Sequence, residues 1–171
     1  SVGGSQGRTD ATGRGCLYVA EEACKLKKIS LRGATVAIQG FGNVGSAVAR
    51  LFAEKKAKIV AISDSRGGVH NPRGIDPLRA IRYKDRSGTV VGMPGASRIS
   101  SDELLALKCD ILVPAALENV ITLHNAEQIK AKIVAEAANG PTTPHADEIL
   151  SRKGVFVVPD INECSVSFAS E

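Results

Sequence analysis

The stretch Ala34-Thr35-Val36-Ala37-Ile38-Gln39-Gly40-Phe41-Gly42-Asn43-Val44-Gly45 decides how the rest of the chain is read. Its first five residues form a short apolar run rich in β-branched side chains, which predicts a buried strand. Beyond it, Val44, Val48, Leu51 and Phe52 fall at helical spacing, so the glycine turn opens into a helix through Glu54. A second strand is predicted over Lys58 to Ser63, ending at Asp64. The sequence therefore runs strand, G-x-G-x-x-G, helix, strand, acid. Gly40 permits the tight turn, Gly42 permits close approach of backbone to a pyrophosphate, and Gly45 permits close packing of helix on strand. The helix start points unpaired N–H groups and a positive dipole end at phosphate. Asp64 lies roughly 20 residues beyond the turn, the spacing of an acid that accepts from adenosine ribose hydroxyls.

The 171 residues suit one domain with a proper core. A hydrophobic share of 43% and a charged share of 23% are those of a globular protein. No apolar run approaches the roughly 20 residues that cross a bilayer, and no membrane partner is expected. The first residues lack the layout of a signal peptide. Cys16, Cys24, Cys109 and Cys164 are scattered without a C-x-x-C pair, so neither a disulfide frame nor a metal site is expected. These features favour a cytoplasmic setting, with a mitochondrial or plastid matrix left open. A net charge of +4 invites a nucleic-acid reading, but acids are interspersed with the bases. With no Trp, two Tyr and four Phe there is also little to stack on bases, so no nucleic-acid partner is expected.

Along the chain, Ser1 to Gly7 reads as a Gly/Ser loop, followed by a helix over Leu17 to Leu26. Residues 65–74 are turn-rich and predict a hairpin-like excursion. Asp76-Pro77 predicts an N-cap with proline in the first turn. A short strand is expected at Thr89 to Val91, and Ser100 with Glu103 stands at capping-box spacing. Strands are predicted at Asp110 to Pro114, Lys132 to Glu136 and Val155 to Pro159, with helices at Asn125 to Ile129 and Ala146 to Leu150. Strands alternating with helices imply parallel pairing. The expected fold is α/β, a doubly wound, mostly parallel, Rossmann-like sheet with an extra N-terminal helix. Ligands of such sheets bind at the strand ends.

Five ordered motifs carry a resemblance. Residues 7–15 (Gly-Arg-Thr-Asp-Ala-Thr-Gly-Arg-Gly), the glycine turn, Ser63-Asp64-Ser65, residues 109–119 and residues 135–144 with Val157-Val158-Pro159-Asp160-Ile161 together resemble the glutamate dehydrogenase family, over residues 1–161. The resemblance implies NAD or NADP as cofactor and conversion of L-glutamate to 2-oxoglutarate and ammonia. It also implies a separate substrate domain and a homo-oligomeric full enzyme. It places Arg8 and Thr12 at the nicotinamide end. Gly42, Asn43 and Val44, in the cofactor-binding turn bounded by Gly40 and Gly45, would meet the pyrophosphate, and Asp64 with Ser65 the adenosine ribose. Ala115, Ala116, Asn119 and Asn139 would border the ribose and nicotinamide.

Two departures stand out. Nothing here corresponds to the family's catalytic Lys-Gly-Gly segment, so no catalytic residue is assigned and the chain reads as a cofactor domain without its substrate domain. Residues 162–171 also diverge from the family's continuation. His70, His124 and His145 have no partner carboxylate in an evident constellation and read as surface histidines. Asp64 favours the free 2′-hydroxyl of NAD, while Arg66 leaves NADP open. Two other readings remain: a non-catalytic nucleotide-binding or assembly module, and the cofactor domain of a leucine, valine or phenylalanine dehydrogenase.

Overall fold

A computed structural model describes residues 3–159. Asp160, Ile161 and the divergent 162–171 segment lie outside the described residues. The elements run α1 (Gly3–Lys27), β1 (Thr35–Gln39), α2 (Asn43–Glu54), β2 (Lys58–Asp64), β3 (Gly67–His70), α3 (Pro77–Ser87) and β4 (Ser97–Ile99). They continue with α4 (Ser101–Leu105), β5 (Ile111–Pro114), β6 (Ile133–Ala135), α5 (Pro144–Arg152) and β7 (Phe156–Val158).

One seven-stranded sheet has the order β4-β3-β2-β1-β5-β6-β7. Strands β2, β1, β5, β6 and β7 are parallel, and β3 and β4 add an antiparallel edge. From β1 the chain first builds outward through β2, then returns to lay β5 on the other side. The switch point therefore falls between β1 and β5, where a crevice opens at the strand carboxyl ends.

The pleat divides the core in two. Val36 and Ile38 face one side with Val48 and Phe52 of α2 and Leu17 of α1. Ala37 faces the other with Leu104, Leu112, Val134 and Leu150. Burying side chains such as Phe52, at 0% exposure, contributes about 1.5–3 kcal/mol each.

Helices α3, α4 and α5 are capped by side chains at their starts, the first two as predicted. Asp76 accepts from the Leu78 N–H at 3.1 Å with Pro77 in the first turn, and Thr143 accepts from the Ala146 N–H at 3.3 Å ahead of Pro144. Ser100 and Glu103 complete a capping box. The excursion after Asp64 is a hairpin, β3 pairing antiparallel with β2.

Three expectations need correction. The helix expected from Leu17 begins at Gly3, so Gly3 to Gly7 are helical rather than loop. Docking overrides the weak propensity of that stretch: a Cβ at Gly13 would stand 2.9 Å from Leu51 of α2, and Arg50 pairs with Asp10 at 3.0 Å. Thr89 to Val91 is not a strand; its polar groups turn to Asp64, and the strand lies instead at Ser97–Ile99. The helix expected at Asn125 to Ile129 is a single 3-10 turn, Ala126–Gln128.

Candidate functional site

The crevice at the switch point is a cavity of about 790 Å³. Its walls come from the glycine turn, the end of β2, α3, α4 and the loop after β5. The three glycines of the turn have different reasons to be glycine. Gly40 has φ +96°, and a Cβ there would stand 2.5 Å from the Ala116 Cβ. At Gly45 a Cβ would collide with the Gly40 carbonyl oxygen. Gly42 has an ordinary φ of −85°, and its absent Cβ would meet nothing within 4 Å. The protein itself therefore demands glycine at 40 and 45, but not at 42.

Gly42 is also the N-cap of α2, and no side chain caps that end. The leading N–H groups of a helix have no partners within the helix, and the first turn of α2 carries no acid. Lys84 of α3 donates to the Phe41 carbonyl at 2.7 Å, which sets an ammonium at the rim. Anchored backbone, a bare helix start and a nearby cation form a cradle for anionic oxygens.

On the β2 side, Asp64 is firmly engaged. Its Oδ1 accepts from the Arg66 N–H at 2.9 Å, and its Oδ2 from the Thr89 hydroxyl at 2.8 Å and the Val90 N–H at 2.7 Å. Partial burial pushes this carboxyl's pKa up, but the donors from Val90, Arg66 and Thr89, with Lys84 nearby, hold it below the ordinary value. A carboxylate has about four lone-pair sites, so capacity remains for a hydroxyl donor. On the opposite side, loops are stitched across strand ends. Ala115 N–H donates to Gln39 at 2.8 Å, Ala137 N–H to Pro114 at 3.0 Å, and Asn119 N–H to Gly140 at 3.0 Å.

Of the residues expected at the site, Gly40, Gly42, Asn43, Val44, Asp64, Ser65, Ala115 and Ala116 line this cavity, and Gly45 is buried within the turn. Arg8, Thr12, Asn119 and Asn139 do not line it. Thr12 donates to the Arg8 carbonyl at 3.0 Å on α1, and Asn139 is exposed. None of His70, His124 and His145 borders it.

Sequence reading missed Gln39, Lys84, Ser101 and Leu105 as wall residues. Lys84 had no motif to mark it, and only the packing of α3 on α2 brings it to Phe41. A second cavity of about 480 Å³ adjoins the first, sharing Ser65 and Ser101 and adding Arg66 and Arg98. Among the described residues, no group of three or more His, Cys, Asp or Glu is placed to hold a metal, and no helix is long and apolar enough to cross a membrane.

A mostly parallel sheet reversing at β1, with a glycine turn leading into α2, defines a Rossmann-like α/β domain. The model of the Glutamate/Leucine/Phenylalanine/Valine dehydrogenase family matches residues 3–165, and the chain belongs to that family. It is 58% identical over 161 residues to a glutamate dehydrogenase of Thermotoga maritima, covering 94% of this chain and 39% of that protein. It is 49% identical over 160 residues to the NADP-specific glutamate dehydrogenase A1 of Halobacterium salinarum, covering 93% of this chain and 38% of that protein. Among solved structures, a hetero-hexameric glutamate dehydrogenase of Thermus thermophilus superposes with a TM-score of 0.82 at 35% identity, over 89% of this chain and 36% of that one. The chain thus spans about two fifths of the length of the curated relatives it matches.

Proposed function

We propose that this chain is the dinucleotide-binding domain of a glutamate dehydrogenase, and that it holds NAD in the crevice between β1 and β5. The observation that carries the reading is Gly42: no protein contact and no backbone strain requires glycine there, whereas a pyrophosphate lying against the turn does. The backbone of Gly42, Asn43 and Val44 holds the phosphates, supported by the Lys84 ammonium on Phe41. Asp64 and Ser65 take the adenosine ribose, and Ala115 and Ala116 allow close approach on the far wall. Arg8, Thr12, Asn119 and Asn139 are proposed to reach the nicotinamide half beyond the cavity.

When bound, the nicotinamide supplies a carbon that accepts hydride from the α-carbon of glutamate. This chain's own part is to bind and orient that ring. Glutamate binding and proton transfer are proposed to need residues beyond these 171, consistent with the share of the relatives that the chain spans.

A second reading, acceptance of NADP, is favoured by one observation. Ser65 and Ser101 open from the ribose wall onto the cavity that carries Arg66 and Arg98, two guanidinium groups suited to a phosphate. Calorimetric titration of the chain with NAD⁺ and with NADP⁺ tests both readings. Saturable binding of NAD⁺ supports the first, tighter binding of NADP⁺ selects the second, and binding of neither overturns the cofactor reading.

A further inference from the structure

Three lysines stand in a row at the amino ends of three adjacent parallel strands. Ile111 of β5 pairs with Ile133 of β6, and Ile133 with Phe156 of β7. Lys108, Lys130 and Lys153 each lie three residues before one of these partners. Lys27 and Lys28 at the end of α1, and Lys132 just before β6, join them around a cavity of about 710 Å³. Six lysines and no acid line it, although the whole chain carries a net charge of only +4. The other lining side chains are apolar: Ile29, Ile129, Ala131 and Val155. Three of the ammonium groups are engaged within the fold. Lys27 donates to the Gly154 carbonyl, Lys153 to the carbonyls of Ala126, Glu127 and Ile129, and Lys132 pairs with Asp110 at 3.1 Å. Lys28, Lys108 and Lys130 are exposed, and their ammonium groups have no hydrogen-bond or ion-pair partner among the described residues. Like charges held side by side repel, and apolar walls strengthen the field by keeping water back. A cleft lined by one sign of charge concentrates ions of the other.

We infer that this cavity binds a linear polyphosphate anion, at the opposite end of the sheet from the crevice. Neighbouring strands lie about 4.8 Å apart, so the lysine row presents charge along a line. A chain of phosphates meets such a line at several points, whereas a single carboxylate meets one ammonium. Lysine serves phosphate as a point charge and needs no planar, bidentate partner. The engaged lysines tie the walls together, while Lys28, Lys108 and Lys130 supply the free charge. None of this depends on the dinucleotide reading, because no residue lines both cavities.

The test titrates tripolyphosphate into the 171-residue chain by calorimetry at low salt. The wild-type chain is expected to bind it saturably at one site. Lys108→Gln combined with Lys130→Gln removes two free charges and is expected to weaken that binding at least about tenfold, with NAD⁺ affinity unchanged. Lys56→Gln alters an exposed lysine outside the cavity and is expected to leave both affinities unchanged. Thermal melts verify that the variants are folded, and tripolyphosphate should raise the melting temperature of the wild-type chain more than that of the double variant. No saturable binding by the wild-type chain, undiminished binding by the folded double variant, or equal weakening by Lys56→Gln overturns the inference. Loss of tripolyphosphate binding when NAD⁺ saturates the chain places the anion at the glycine turn and overturns it likewise. Tighter binding of hexaglutamate than of tripolyphosphate overturns the choice of phosphate and marks an acidic peptide instead. The NAD⁺ titration of the same samples decides the cofactor reading separately.

Discussion

The Val90 N–H donates to Asp64 Oδ2 at 2.7 Å, so the acid at the end of β2 holds the loop after α3 in place. With the Thr89 hydroxyl on the same oxygen and the Arg66 N–H on the other, Asp64 is a structural hub as well as a wall of the crevice. Asp64→Ala strands these donors and is expected to cost about 1–3 kcal/mol of stability. Denaturant unfolding measures it; a change within about 0.5 kcal/mol would show that water replaces the carboxylate freely.

The same bonds set a pH dependence. Burial raises the Asp110 carboxyl's pKa, but the Thr35 N–H at 2.9 Å, Lys132 at 3.1 Å and the Thr35 hydroxyl outweigh it, so this acid, like Asp64, sits below its ordinary value. A carboxyl lowered in the folded state stabilises it above the unfolded pKa of about 4, and that contribution fades as pH falls through the lower folded value. Melting temperature is expected to be flat near neutrality and to fall below about pH 4. In Asp64→Ala, which has lost one of the two lowered carboxyls, the acid-side decline should be shallower than in the wild-type chain. An equally steep decline would place the acid sensitivity elsewhere.

Much of this arrangement was legible in the sequence. Strand, glycine turn, helix and acid follow from local periodicity and from residues whose conformational demands are local. Caps at Asp76 and Ser100 were readable for the same reason. What escaped depends on contacts distant in sequence. Gly3 to Gly7 look like loop until α1 is laid on α2, and Thr89 to Val91 look like a strand until Asp64 claims their donors. Gln39 and Lys84 reach the crevice only through the pleat and the docking of α3.

The docking of α1 makes its own prediction. Gly13→Leu places a side chain against Leu51 and Ala47, where even a Cβ is 2.9 Å from the Leu51 methyl, and is expected to cost about 1–3 kcal/mol. Asp10→Ala removes a half-exposed pair with Arg50 and is expected to cost less than about 1 kcal/mol. The reverse ranking in urea melts would mean that charge, not packing, seats the helix.

Cys109 precedes β5 and is 5% exposed. Burial, with the Asp110 carboxylate adjacent, pushes its thiol up to about 12. The thiolate is the reactive form, so the Cys109 peptide is expected to stay unlabelled by a thiol reagent at pH 8 until denaturant is added. Labelling of the folded chain, followed by peptide mass spectrometry, would contradict the burial if Cys109 reacts within minutes.

The central claim is that the glycine turn is shaped for a ligand, and Gly42→Ala tests it most directly. Its Cβ meets no protein atom within 4 Å at a φ open to any residue, so the variant should stay folded, losing no more than about 1 kcal/mol through the weaker preference of Ala for the N-cap. NAD⁺ titrated by calorimetry should bind the variant at least about tenfold more weakly, because the methyl occupies the approach of the pyrophosphate. Unchanged affinity in a folded Gly42→Ala chain would contradict the account.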